Sequence, residues 1–162
     1  MQLKNTYSSR EVAAITGLTA RQLQVWDAGG LVPPAIRPHK TSAGGYTERR
    51  YSPIDLFELL VLADLRRRGF SVHQLHAIVR VLKDQFGARL FEATGGGGAL
   101  QLLTDGREIY ARTDRGDVFN LLKEPAQPLL AVGDDALFKE LRGKLRRRSK
   151  THPAPGSRHQ AP

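Results

Sequence analysis

Apolar positions recur at helical spacing as far as about residue 92, and the period shortens beyond a glycine run at residues 95–98. Val12 and Ile15, with Leu18 just beyond, share one side of a short first helix. Ser8 opens it, and Glu11 three residues on completes a capping box. Thr16-Gly17 stops it. Thr19 with Gln22 opens a second helix, whose core side carries Leu23 and Trp26. Gly29-Gly30 ends that helix, and Pro33-Pro34 prevents its resumption.

The same pattern predicts two longer helices. Ser52 caps the first, Pro53 is tolerated at its first position, and Asp55 suits its positive end. Ile54, Phe57, Leu60 or Val61, and Leu65 give its apolar side, and Arg66-Arg67-Arg68 suit its negative end. Ser71 with Gln74 opens the next, striped by Val72, Leu75, Ile78 or Val79, Leu82, Phe86 and Leu90. Continuous to about Glu92, that helix would be roughly 33 Å long. Gly87 is the place where it would bend or break.

Past the glycine run, Leu100–Thr104 and Arg107–Ala111 flank Asp105-Gly106, a strong hairpin signal. Val118–Leu122 and Pro128–Val132 read as two further strands. Asp134 or Asp135 caps a final helix carrying Leu137, Phe138, Leu141 and Leu145. Thr151–Pro162, polar with repeated proline, reads as disordered.

Two short helices around a tight turn make a helix-turn-helix pattern, whose second helix suits a DNA major groove. The outward side of that helix carries Ala20, Arg21 and Gln24, with Gln22 beside them. Arg pairs well with guanine and Gln with adenine, and nothing acidic appears on this helix before Asp27. Residues 35–51 read as a hairpin with a Gly- and Ser-rich tip at 41–45. Arg37, Lys40, Arg49 and Arg50 flank that tip and suit phosphate contacts, which set register and affinity.

Charge sharpens this picture. The chain has 25 basic and 16 acidic residues, a net charge of +9, which favours a polyanionic partner. The excess is uneven: residues 1–83 carry 12 basic and 6 acidic side chains, 84–138 carry 5 and 9, and 139–162 carry 8 and 1. The basic run Arg142–Lys150 is a candidate nonspecific DNA arm. The absence of cysteine removes disulfides, thiolate metal sites and thiol redox sensing. No cofactor motif is present, since the glycine run lacks the Gly-Lys-Ser/Thr ending of a phosphate loop. No catalytic and no metal-ligating residues are expected; His73 and His76 read as surface histidines.

Tyr7-Ser8, Glu11-Val12, Gly17-Leu18-Thr19, Leu23, Trp26-Asp27, Gly30-Leu31-Val32-Pro33, Gly45-Tyr46, Arg50-Tyr51-Ser52 and Asp55-Leu56 follow one another at spacings that resemble the MerR family of bacterial regulators. The resemblance spans about residues 3–82. It implies a winged helix-turn-helix, a homodimer, and a hairpin wing gripping the DNA backbone. Carried over residue by residue, Thr19 and Arg21 match the start of the recognition helix, and Arg50 and Tyr51 match the wing's Arg–aromatic pair. Ser8, Gln22, Gln24, Arg37, Lys40 and Arg49 complete the expected DNA-contacting set. Family members pair through a long helix, which makes Val81, Leu82, Gln85, Phe86 and Leu90 dimer candidates. Late in the recognition helix the family usually shows Arg-Tyr-Tyr, and this chain has Gln24-Val25-Trp26.

The expected fold class is mainly α with small β. Residues 1–70 form the winged helix-turn-helix head and 71–93 a connecting, dimerising helix. Residues 94–98 form a linker, 99–148 a small strand-rich α+β module ending in a helix, and 149–162 a tail. The expected function is sequence-specific DNA binding by a homodimeric regulator that distorts its promoter, without enzyme activity. Double-stranded DNA and a second copy are the expected partners, with RNA polymerase or an effector at the C-terminal module left open. No apolar run reaches membrane-spanning length, and a cytoplasmic, nucleoid-associated protein is expected. Two alternatives are an architectural or excisionase-like DNA binder and an antitoxin-like regulator holding a protein partner through that module.

Overall fold

The computed structural model describes residues 3–95, 98–130 and 135–150. A capping box opens each of the first four helices, which is why their starts are sharp: α1 (Ser9–Thr16), α2 (Ala20–Ala28), α3 (Pro53–Arg67) and α4 (Val72–Phe86). The caps are Ser8, Thr19, Ser52 and Ser71, each accepting a hydrogen bond from the backbone N–H three residues on. α1 ends at Gly17 (φ 76°), and Arg67 at the end of α3 donates to the Thr16 carbonyl at 3.3 Å. Arg67 thus satisfies a helix-end carbonyl of α1, and Arg66 donates to the Phe70 carbonyl in the loop before α4 at 3.2 Å.

Between α2 and α3 the chain makes an irregular hairpin. It is bridged at Ile36–Arg50 and again at Lys40–Tyr46, around a turn in which Thr41 N–H donates to Gly45 O at 2.7 Å. At its base, β2 (Arg50–Tyr51) pairs antiparallel with β1 (Tyr7–Ser8) ahead of α1. The return arm is therefore stitched to the N-terminal strand.

α4 stops at Phe86, short of the single helix expected to reach about Glu92. Gly87 adopts φ 61°, its N–H donates to Lys83 O, and the Ala88 N–H reaches back to Leu82 O. That left-handed residue ends α4, and a separate short helix α5 (Leu90–Thr94) follows. Next comes an antiparallel sheet in sequence order: β3 (Leu100–Thr104), β4 (Ile109–Thr113), β5 (Val118–Asn120) and β6 (Glu124–Leu129). The Asp105-Gly106 turn forms as expected, with Asp105 accepting from the Arg107 and Glu108 N–H groups. The fourth strand lies a few residues earlier than Pro128–Val132, because Asn120 Oδ1 accepts from the N–H groups of Leu122 and Lys123 and folds the chain straight into β6. Residues 131–132, the candidate cap Asp134, the linker residues 96–97 and the tail from 151 lie outside the described residues.

One hydrophobic core runs through residues 7–121. It joins Val12, Leu23, Trp26 and Tyr51 of the head to Leu59, Leu62, Leu75, Ile78 and Leu82, and on to Leu90, Ile109, Ala111 and Leu121. Phe86 meets Phe119 edge-on at 5.3 Å between ring centroids. The glycine run therefore does not separate two cores. Residues 1–129 form one compact unit, and α6 (Asp135–Lys150) lies in a second. Taken by itself, α6 is amphipathic and buries none of its residues. Leu137, Phe138, Leu141 and Leu145 are each more than half exposed. No described helix is long and apolar enough to cross a membrane.

Candidate nucleic-acid interface

α2 turns Leu23, Trp26 and Asp27 inward, and Arg21, Gln24 and Val25 lie exposed. Arg21 and Gln24 are three apart and so share one stripe. Thr19 and Gln22 are tied to each other: the Thr19 hydroxyl accepts from Gln22 N–H at 3.0 Å, and the Gln22 amide oxygen accepts from Thr19 N–H at 2.9 Å. Gln22 therefore supports the helix start, leaving Arg21 and Gln24 as the long polar groups on the open face.

The hairpin stands at the C-terminal end of α2. Arg49 Nε donates to Asp27 Oδ2 at 2.7 Å, and Arg37 Nη1 lies 3.8 Å from Asp27 Oδ1. Arg37 and Lys40 are exposed on the outgoing arm. Near the tip, the Thr47 hydroxyl accepts from His39 N–H at 2.9 Å, and Thr47 N–H donates to His39 O. This cross-arm pairing holds a hairpin that looked like a loose glycine-rich loop. Just past the end of α2, His76 of α4 packs over Gly29, so closely that a Cβ there would lie 3.2 Å from its ring.

Several expected contact residues have other work. Tyr51 is fully buried, so the aromatic of the expected wing pair is a core side chain and not a DNA contact. Burial raises the pKa of its hydroxyl and the Asp27 charge adds to the rise, while Arg49 opposes it. Arg50 turns back to the N-terminal strand, donating to Thr6 Oγ1 at 2.8 and 3.1 Å, and it lies 3.6 Å from Glu48. Ser8 is the cap of α1. The dimer stripe also changes role. Leu82 and Leu90 are almost wholly buried in the chain's own core, and Phe86 packs on Phe119. Gln85 donates to the Pro125 carbonyl. The break at Gly87 folds this stripe inward: Val81 is half-buried against the core, and of the five only Gln85 is exposed.

An ion cluster went unread in the sequence. Asp55 and Glu58 of α3 are both buried, and Arg89, just before α5, reaches both carboxylates. Burial raises the Glu58 pKa, with Arg89 pulling against it. A mixed-charge cleft of about 600 Å³ opens here, lined in part by Leu31, Pro33, Val79 and Lys83. The only sequence signal was an acidic residue on the apolar side of α3, which composition alone does not distinguish from a solvated one.

Residues 7–82 match the family model described as MerR HTH family regulatory protein. This segment belongs to the MerR family. The MerR segment leaves α5, the sheet and α6 outside the match. An HTH-type transcriptional regulator of Mycobacterium tuberculosis strain H37Rv, Rv1830, is 29% identical over 139 residues, covering 86% of this chain and 57% of that protein. The HTH-type transcriptional regulator CueR of Escherichia coli O157:H7 is 35% identical over 74 residues, 46% of this chain and 50% of that protein. The chain thus spans about half the length of the curated relatives it matches. A crystal structure of a MerR family transcriptional regulator from Bacillus cereus superposes with a TM-score of 0.37 at 25% identity, covering 46% of this chain and 52% of that one.

Proposed function

We propose that this chain is a sequence-specific DNA-binding transcriptional regulator of the MerR type, with α2 as recognition helix and residues 36–50 as the wing. The observation that carries this reading is the exposed Arg21–Gln24 stripe on a doubly capped helix, with a cationic hairpin anchored at that helix's end. Arg21 and Gln24 suit base edges in a major groove; Arg37 and Lys40 suit flanking phosphates. With Arg50 engaged by Thr6, the outgoing arm supplies more of the wing's accessible charge than the return arm.

A second copy completes the reading. The seam expected at Val81–Leu90 is largely closed by the chain's own core, and α6 offers an open apolar side instead. An antiparallel pair centred on Leu141 sets Leu137 opposite Leu145 of the copy. It also brings Glu140 beside Arg142 of the copy, so apolar and charged positions match together. A homodimer reads an inverted repeat, and bending or untwisting the intervening promoter costs a few kcal/mol, offset by the added contacts.

Selection of bound duplexes from a random pool tests the proposal. Enrichment of an inverted repeat is the expected result. Enrichment of a single half-site would overturn the dimer, and binding without any sequence preference would overturn specific regulation.

A further inference from the structure

Asp27 sits where a carboxylate is hard to justify for helix stability. It is the penultimate residue of α2, at the negative end of the helix, and only 8% exposed. Burying a carboxylate is costly unless cations and hydrogen bonds compensate it. The described compensation comes from two arginines, and both belong to the hairpin. Arg49 donates to Oδ2 at 2.7 Å from the return arm. Arg37 lies 3.8 Å from Oδ1 on the outgoing arm, and Oδ1 accepts no hydrogen bond among the described residues. Backbone pairing between the arms is sparse, with isolated bridges at Ile36–Arg50 and Lys40–Tyr46. The side chains therefore carry much of the hairpin's placement against α2.

We infer that Asp27 is the positioning residue that sets the spacing between base-reading and phosphate-gripping groups, by holding both hairpin arms to the end of the recognition helix. Arg49 is thereby a strut, and Arg37, more loosely held and two-thirds exposed, is the cation that can turn to a phosphate. The inference rests on the DNA-binding reading for its consequence, and on the ion pairs alone for its geometry.

Charge counting and positioning predict opposite signs for Asp27→Asn. Removing a negative charge beside DNA should strengthen binding to every duplex if only charge matters. Positioning predicts that the preferred site loses affinity, while binding to shuffled duplex holds or rises.

The experiment compares the full chain with Asp27→Asn and Arg49→Gln in two measurements. The first is hydrogen exchange of the free protein. Expected is faster exchange across residues 36–50 in both variants, with α1 and α3 unchanged. The second is affinity for the selected site against a shuffled duplex over a salt series. Expected is a roughly tenfold fall in the ratio for Asp27→Asn, with the slope against salt unchanged. Arg49→Gln carries the exchange test should Asp27→Asn fail to fold. Wild-type exchange in the hairpin of a folded variant overturns the inference, and so does a preserved ratio. If no duplex is preferred by the wild type, the DNA reading fails while the exchange measurement still decides whether Asp27 holds the hairpin.

Discussion

Arg21 and Tyr51 were both expected at the DNA surface, and the structure separates them. Arg21 is exposed on α2 and Tyr51 is fully buried. Arg21→Ala should cost about 1–3 kcal/mol at the selected site and relax preference at one base position, measured by titration against single-base variants. Stability should be unaffected. Arg89 shows the reverse case, a half-exposed side chain whose role is structural. Its removal leaves Asp55 and Glu58 buried without their shared cation. Arg89→Ala should destabilise the fold by about 2 kcal/mol near neutral pH, less than for a fully buried pair because water screens the guanidinium. The sign with pH follows from Glu58. Its folded pKa already lies above the ordinary carboxylate value, and loss of Arg89 raises it further. The folded state then holds the proton more tightly than the unfolded state. Stability therefore falls as pH rises from the ordinary value through the raised one. Denaturation of Arg89→Ala should show its largest deficit at neutral pH and a shrinking one in acid; a pH-independent deficit would contradict the burial argument.

At the scale of elements, the decisive position is Gly87. The apolar stripe from Val72 to Leu90 reads as one long helix, yet the chain turns at a left-handed residue and packs the stripe's far end against its own sheet. Nothing lies within 4 Å of a Cβ placed there, so the cost of a side chain is conformational only. Gly87→Ala should destabilise the protein by about 1–2 kcal/mol in chemical denaturation. An increase in stability together with a longer helix would mean that the straight form lies close in energy. The hairpin teaches a related lesson. Its glycine-rich tip reads as loose, whereas cross-arm contacts between His39 and Thr47 give it shape.

At the scale of the whole molecule, α6 taken by itself is an amphipathic helix whose apolar side needs a cover. A helix of 16 residues with an unburied apolar side is marginal alone. Leu141→Glu, at the centre of the antiparallel register, should convert a dimer to a monomer in sedimentation while leaving the fold of residues 1–129 intact. A variant that still sediments as a dimer would move the seam elsewhere, with Gln85 as the exposed position of the earlier stripe. The MerR match ends at residue 82, yet the core does not: Leu90, Ile109 and Leu121 continue it. Tertiary packing has thus joined the sheet to the head as one unit.

Short-range chemistry could be read directly from the chain. Caps at Ser8, Thr19, Ser52 and Ser71, glycine stops at Gly17 and Gly30, and the Asp105-Gly106 turn depend on neighbours within a few residues, so the sequence alone determined them. The Arg21–Gln24 stripe was legible for the same reason, being fixed by helical period once Leu23 and Trp26 face inward. What only the tertiary structure decided were partners distant in sequence: Asp27 with Arg37 and Arg49, Arg50 with Thr6, Arg89 with Asp55 and Glu58, and the burial of Tyr51, Leu82 and Leu90. A charged or apolar residue carries no local mark of whether it meets solvent, DNA, a second copy or its own core. That choice is made by the summed packing of the chain, where each buried charge must find a countercharge and each apolar stripe the nearest surface that excludes water.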